Sequence, residues 1–451
     1  MLRRLVSLWV IVSTLLTGGL ARAQMPFPVD LLPTRTALDR LGLDRAWYAV
    51  IPLVETERLM KITFTGDLMF AQTDYAMLHA FDGETGRLLW SAQLGARTGF
   101  ARGVASNKYA VYVTNAGTFH SLDKKTGRPI WKANLSSIPT SSPACDEDRA
   151  MVGLTSGLIV TFALRSIDDK GNVTVFTIPR EAWKWHTGGP VYTRPLPANQ
   201  FVVYGSSGGK AYAVESGDGN PLFRVPTGGP IGEGFGTWKT RTLLVPSGDN
   251  NLYGVDLLAA RVKWSFPTGA PIEQEPMVTD EDVYIVNTAG SMSLIDPETG
   301  LDRWTRPTQG GRLAAISATK LYLRSYNLDL FMMDRKTGRM LVDPGETFLR
   351  AGLKLRDYDL DIVNRFNDRI YFATSSGMII CLREKAQASP RLLKDPLAQS
   401  FGYVPPEGLK PPAAESGAPK DDAAAPGADA APGADAAAPA PKEKEPADEP
   451  K

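Results

Sequence analysis

The chain has 451 residues, 43% of them apolar, with 50 Lys and Arg against 49 Asp and Glu. That balance argues against a nucleic-acid partner, which calls for a basic excess. Two cysteines (Cys145, Cys381) and three histidines (His79, His120, His186) exclude a disulfide scaffold, a cysteine zinc finger and His-rich metal chemistry. Residues 1–23 read as a secretory signal. They hold Arg3 and Arg4, an apolar run over 5–16, and the small-x-small site Ala21-Arg22-Ala23. The run is shorter than the ~20 residues of a membrane span, so cleavage before Gln24 and no transmembrane span thereafter are expected. No cysteine follows the run, so no lipid anchor is expected. Residues 24–45 form a lead-in segment.

Over residues 46–385 one motif recurs. Leu78-His-Ala-Phe-Asp82-Gly-Glu-Thr85-Gly86-Arg-Leu-Leu-Trp90 returns as Phe119-His-Ser-Leu-Asp123-Lys-Lys-Thr126-Gly127-Arg-Pro-Ile-Trp131. It returns again as Met292-Ser-Leu-Ile-Asp296-Pro-Glu-Thr299-Gly300-Leu-Asp-Arg-Trp304, and without its Trp as Leu330-Phe-Met-Met-Asp334-Arg-Lys-Thr337-Gly338-Arg. Weaker copies centre on Glu215 with Phe223 and on Asp256 with Trp264. A third unit, Leu158 to Leu164, is interrupted by an insertion (165–182) and leads to Trp185. An eighth lies at Met378 to Leu382. In each copy a β-rich run, a turn signal and a strand ending in Asp precede a tight Asp-x-x-Thr-Gly turn and a last strand.

A four-stranded unit repeating every ~40 residues is the pattern of a β-propeller. The reading is all-β: an eight-bladed propeller of four-stranded antiparallel blades, with seven blades as the alternative. The eighth unit lacks a Trp strand, and Ala46-Trp47-Tyr-Ala-Val-Ile51 lies one repeat before Trp90. The N-terminal strand is therefore expected to close the last blade. Residues 386–406 read as a linker. Residues 407–451 are an Ala/Pro-rich tail with ten acids, five lysines and too few apolar residues to fold, hence expected to be disordered.

The motif Ala-x-Asp-x-x-Thr-Gly-x-x-x-Trp, with Ser142-Pro143-Ala144 at a strand start, resembles the PQQ-like repeat family over about residues 46–385. Its size is similar to the non-enzymatic BamB-type branch. The resemblance implies an exported, periplasmic or envelope-located binding scaffold with no enzymatic activity. It implies a monomer within a complex, mediating protein–protein interaction with envelope or outer-membrane proteins, possible in outer-membrane protein assembly. The alternatives are a PQQ- and calcium-dependent quinoprotein dehydrogenase, and a sensor of small ligands or polysaccharide using the central channel. No cofactor is expected. Cys145 and Cys381 are 236 residues apart, so the adjacent Cys-Cys pair of many such dehydrogenases cannot form, and no Cys-x-x-Cys-His haem motif exists.

Most single residues have a structural reading. One Trp per blade suits packing between blades, and one Asp per blade suits turn capping. Carboxylates a whole repeat apart cannot gather on one ion. No catalytic, cofactor-binding or metal residue is assigned. His79 and His120 fall at equivalent strand positions. The insertion reads as an extra hairpin protruding from one face, a candidate docking element. Arg102, Arg194, Glu233, Glu275 and Arg312 fall near the starts of innermost strands and are the candidate binding residues at the channel mouth.

Overall fold

The innermost, second, third and outermost strands of each repeat pair in that order, as the motif requires. The computed structural model describes residues 31–404; the expected signal and the acidic tail lie outside the described residues. Eight sheets form the ring, so the seven-blade alternative falls. Blades 1 to 7 span residues 59–93, 104–134, 144–186, 196–226, 236–267, 277–307 and 312–342. Blade 8 combines Ile370–Ala373 and Met378–Glu384 with the N-terminal strand Leu43–Val50. The closure is antiparallel, with Trp47 opposite Cys381 and Val50 opposite Met378. The fourth strand of blade 8 is thus supplied from the other end of the chain. Its innermost strand is reduced to one bridge, Leu360 to Ala373. Among the described residues no helix is long and apolar enough to cross a membrane.

Burial explains the sequence pattern. A second strand such as Leu68–Thr73 is buried at every position, because neighbouring blades cover both of its faces. The outermost strand Leu88–Gln93 buries only Trp90 fully. That one side chain reaches the next blade. Asp123 accepts hydrogen bonds from Thr126 N (2.8 Å) and Thr126 Oγ1 (2.6 Å), while Gly127 N donates to the Asp123 carbonyl (2.8 Å). Gly127 has φ +70°, and a Cβ there would lie 2.4 Å from the Trp90 ring. Trp90 Nε1–H also donates to Lys124 O (2.9 Å). The turn of one blade is therefore the socket for the Trp of the blade before it.

The third unit departs from the expected alignment. The repeat Trp is Trp183, not Trp185. Trp183 pairs with Thr161, packs on Gly219 of blade 4, and donates to Ser216 O (3.1 Å). A register shift between Thr161 and Phe162 puts Trp185 two residues along, where its ring meets Tyr212. The insertion is not a separate extra hairpin. It lengthens the third and fourth strands of blade 3 into Leu158–Ile167 and Val173–His186, which run on past the blade on the face of the Asp turns.

Two segments are not repeats. Residues 343–369 hold the helix Pro344–Leu349, started by a capping box between Asp343 and Glu346. Residues 386–403, expected as a linker, form a strap across the Asp-turn face. Leu393 N donates to Phe366 O (2.9 Å), Lys394 Nζ to Thr237 O (2.7 Å), and Gly402 N to Thr240 O (2.8 Å). Leu393 is buried with the core of blades 6 and 7. The fully buried Arg369 links closure to strap. It donates to Ala388 O (2.7 Å) and pairs with Asp368 (3.4 Å) and with Glu84 of blade 1 (3.3 Å).

The turn aspartates make an acid-melting prediction. Hydrogen bonds from Thr126 and Thr337 hold the Asp123 and Asp334 carboxyls below the usual range. A depressed carboxylate stabilises the fold above its unfolded pKa of about 3.9 and loses that contribution as pH falls through its folded value. The melting temperature should be level above about pH 4 and fall below it. In D123N/D334N the fall should be shallower. Parallel melting curves for parent and variant across pH 2.5–6 (a range set about the reference carboxylate pKa) would count against turn capping.

Candidate functional site

The innermost strands enclose a channel cavity of about 1010 Å³. All five candidate residues, Arg102, Arg194, Glu233, Glu275 and Arg312, line it. Arg102, Arg194, Glu233 and Glu275 lie just before the innermost strands of blades 2, 4, 5 and 6, and Arg312 opens that of blade 7. Lys61 pairs with Gln72 and Arg312 with Arg324, and both partners lie four residues into their second strands. Lys61 of blade 1 and Arg312 of blade 7 thus stand at equivalent heights. Arg194 pairs with Glu275 (2.8 Å), and the other oxygen of Glu275 meets Arg365 (3.7 Å). Arg312 meets Asp361 (3.0 Å) and Glu233 (3.8 Å).

Sequence reading missed Lys61, Asp361, Arg365 and Lys394, which also line the cavity. Lys61 was accessible in principle. Lys61-Ile-Thr-Phe-Thr65 precedes a second strand at the spacing of the other units. Asp361 and Arg365 fall in the irregular start of blade 8, and Lys394 comes from the strap, so no repeat spacing marks them. Lys61 is exposed to the cavity, but the channel walls desolvate it and so lower its pKa, with the nearby cations Arg102, Arg365 and Arg194 acting in the same direction and Glu233 opposing them. Lys394, also exposed, is lowered by desolvation among its neighbours too.

The donor set does not suit calcium-assisted quinone chemistry. The three channel carboxylates named are engaged by arginines. Among the described residues no group of three His, Cys, Asp or Glu side chains could hold a metal. His79 Nδ1 is bound to Ser91 Oγ (2.8 Å), and burial lowers the pKa of both His79 and His120. Cys145 and Cys381 are free thiols in blades 3 and 8, and burial raises both.

Around the channel mouth opposite the Asp turns, the connections entering blades 1 to 4 each expose one large apolar side chain. These are Val54 (57% exposed), Phe100 (67%), Ile138 (61%) and Tyr192 (55%). On the Asp-turn face, the extension of blade 3 exposes Ile167 paired with Val173, and Val175 paired with Arg165.

The family described as outer membrane protein assembly factor BamB matches residues 44–209 and 207–408. The chain belongs to this BamB family of PQQ-like repeats. A BamB of Shewanella oneidensis, itself described as an outer membrane protein assembly factor, is 23% identical over 215 residues, 44% of this chain. The chain spans about half the length of that relative, 54%. The crystal structure of BamB from Moraxella catarrhalis superposes with a TM-score of 0.57 at 15% identity, covering 76% of this chain and 98% of that one. The computationally designed Ika8 protein superposes with a TM-score of 0.56 at 14% identity, over 72% and 96% of the two chains. At such identities the BamB structure and the design speak for the propeller fold.

Proposed function

We propose that this chain is a non-enzymatic protein-interaction scaffold, exported to the cell envelope, that serves outer-membrane protein assembly as its BamB-described relatives do. The observation that carries the reading is the arc of Val54, Phe100, Ile138 and Tyr192. Isolated exposed apolar residues are ordinary, but one per entry connection in four successive blades repeats an apolar side chain along one arc of the rim. The charged channel mouth lies inside it. An aromatic and aliphatic rim beside arginines has the composition of a protein contact surface.

In-cell cross-linking followed by affinity purification tests this. Full-length parent should recover outer-membrane assembly components. Phe100→Asp/Tyr192→Asp should lose them while melting like the parent, because both side chains are exposed. Val173→Asp/Val175→Asp, on the opposite face, should retain them. If the rim variant keeps its partners and the blade 3 variant loses them, docking belongs to the insertion instead. Recovery of no envelope protein by the parent would sink the scaffold reading.

A further inference from the structure

We infer that the central channel is a binding site for a small polyanion, a molecule bearing two or more carboxylate or phosphate groups, held by Lys61, Arg102, Arg194 and Arg365. This site adjoins the rim proposed to dock proteins, since Tyr192 lines the cavity and the Arg102 guanidinium lies over the Phe100 ring, but it does not rest on that reading.

The argument begins with the charge count. Six cationic side chains line the cavity: Lys61, Arg102, Arg194, Arg312, Arg365 and Lys394. Only three carboxylates do, Glu233, Glu275 and Asp361. The cavity therefore has a formal excess of three positive charges, six minus three, although the whole chain carries only +1. The carboxylates are already committed. Glu275 serves Arg194 and Arg365, and Arg312 takes both Asp361 and Glu233. Among the described residues the Lys61 side chain has no hydrogen bond or salt bridge, and the Arg102 guanidinium donates to the Pro139 carbonyl (3.2 Å) and lies over the Phe100 ring but meets no carboxylate.

The excess is concentrated. Arg102, Arg194 and Arg365 all lie near enough for their charges to act on Lys61, with Glu233 alone opposing them. Four cations from blades 1, 2, 4 and 8 thus face one region. Like charges confined between low-dielectric walls repel one another, and the same walls focus their field on an entering anion. The cavity is at the upper end of the range for small-molecule sites, about 300–1,000 Å³. Below the charged level it has an apolar wall, including Phe64, Leu196, Phe235 and Val278. Leu392, Lys394 and Pro396 of the strap line the far end. A ligand entering from the rim side would place its anionic groups at the lysine and arginines and its body against the apolar wall. Each lost charge-assisted contact should weaken binding by about tenfold or more.

Isothermal titration of the full chain at low ionic strength tests the site, with citrate as the carboxylate probe and pyrophosphate as the phosphate probe. At least one should bind with a stoichiometry of about one, as expected of a single pocket, and weaken as salt is added. The preferred probe tells which anionic chemistry the channel reads. Lys61→Met and Arg102→Gln should each reduce affinity about tenfold, and the double variant more, with melting unchanged. Lys336→Gln, an exposed turn residue on the opposite face, should bind like the parent. Absence of binding by both probes overturns the proposal. So does undiminished affinity in the Lys61→Met/Arg102→Gln chain, which would mark the binding as non-specific.

Discussion

A chain beginning at Glu55, without the strand Leu43–Val50, is expected to lose its cooperative thermal transition. The strand is the outer edge of blade 8, and its removal leaves two strands there. Leu43, Trp47 and Ile51 leave the core, and the fully buried Ile379 and Cys381 lose their cover. Each buried large apolar side chain contributes about 1.5–3 kcal/mol, so the three together contribute roughly 5–9 kcal/mol. That is comparable to the whole stability of a typical domain, about 5–15 kcal/mol. The loss is also topological. Trp47 packs on Gly86 and donates to Gly83 O (3.2 Å), so the strand joins blade 8 to blade 1. Circular dichroism melting checks this, and a peptide covering residues 31–54 should restore the transition when added. A truncated chain that melts like the parent would falsify the closure account.

Replacing Gly300 by Ala should cost far more than the same change at Gly66. Both have positive φ, +74° and +63°. At Gly66 a Cβ would meet nothing within 4 Å, so only the left-handed conformation is penalised, by about 1–2 kcal/mol. At Gly300 the Cβ would fall 2.4 Å from the Trp264 ring. The ring must leave its socket, and its Nε1–H would lose Pro297 O (3.2 Å). Loss of a large aromatic contact costs about 3–5 kcal/mol, so the total should exceed about 4 kcal/mol. The chain contains its own control. In blade 5 the equivalent turn residue is Ala260, φ +53°, and the facing side chain from blade 4 is Phe223 in place of Trp. The smaller ring goes with the added methyl. Chemical denaturation of G300A and G66A measures both costs. Equal losses would mean that the Trp socket contributes nothing.

Those pairs also explain why the architecture was readable from local patterns. Asp, Thr, Gly and Trp of one motif act in a turn and in the contact to the neighbouring blade, so each copy reports both its own hairpin and the ring around it. The count of eight and the closing strand at Trp47 followed from spacing alone. Trp183 was misassigned because an insertion separates it from its partner strand, and the Thr161 register shift that selects it over Trp185 has no sequence mark. The candidate channel residues were legible at one remove, since each stands near the start of an innermost strand.

Local chemistry, then, dictated the blade, its turns, the packing Trp and the closing of the ring, because those contacts repeat at constant spacing and need only neighbours in sequence or in the next blade. Ring closure alone gathers Lys61, Arg102, Arg194 and Arg365 around one space, because residues far apart in the chain meet only when eight blades share an axis. The course of residues 386–403 was likewise settled by the folded surface. Leu393 finds its apolar pocket, and Lys394 its acceptors, only on blades already assembled.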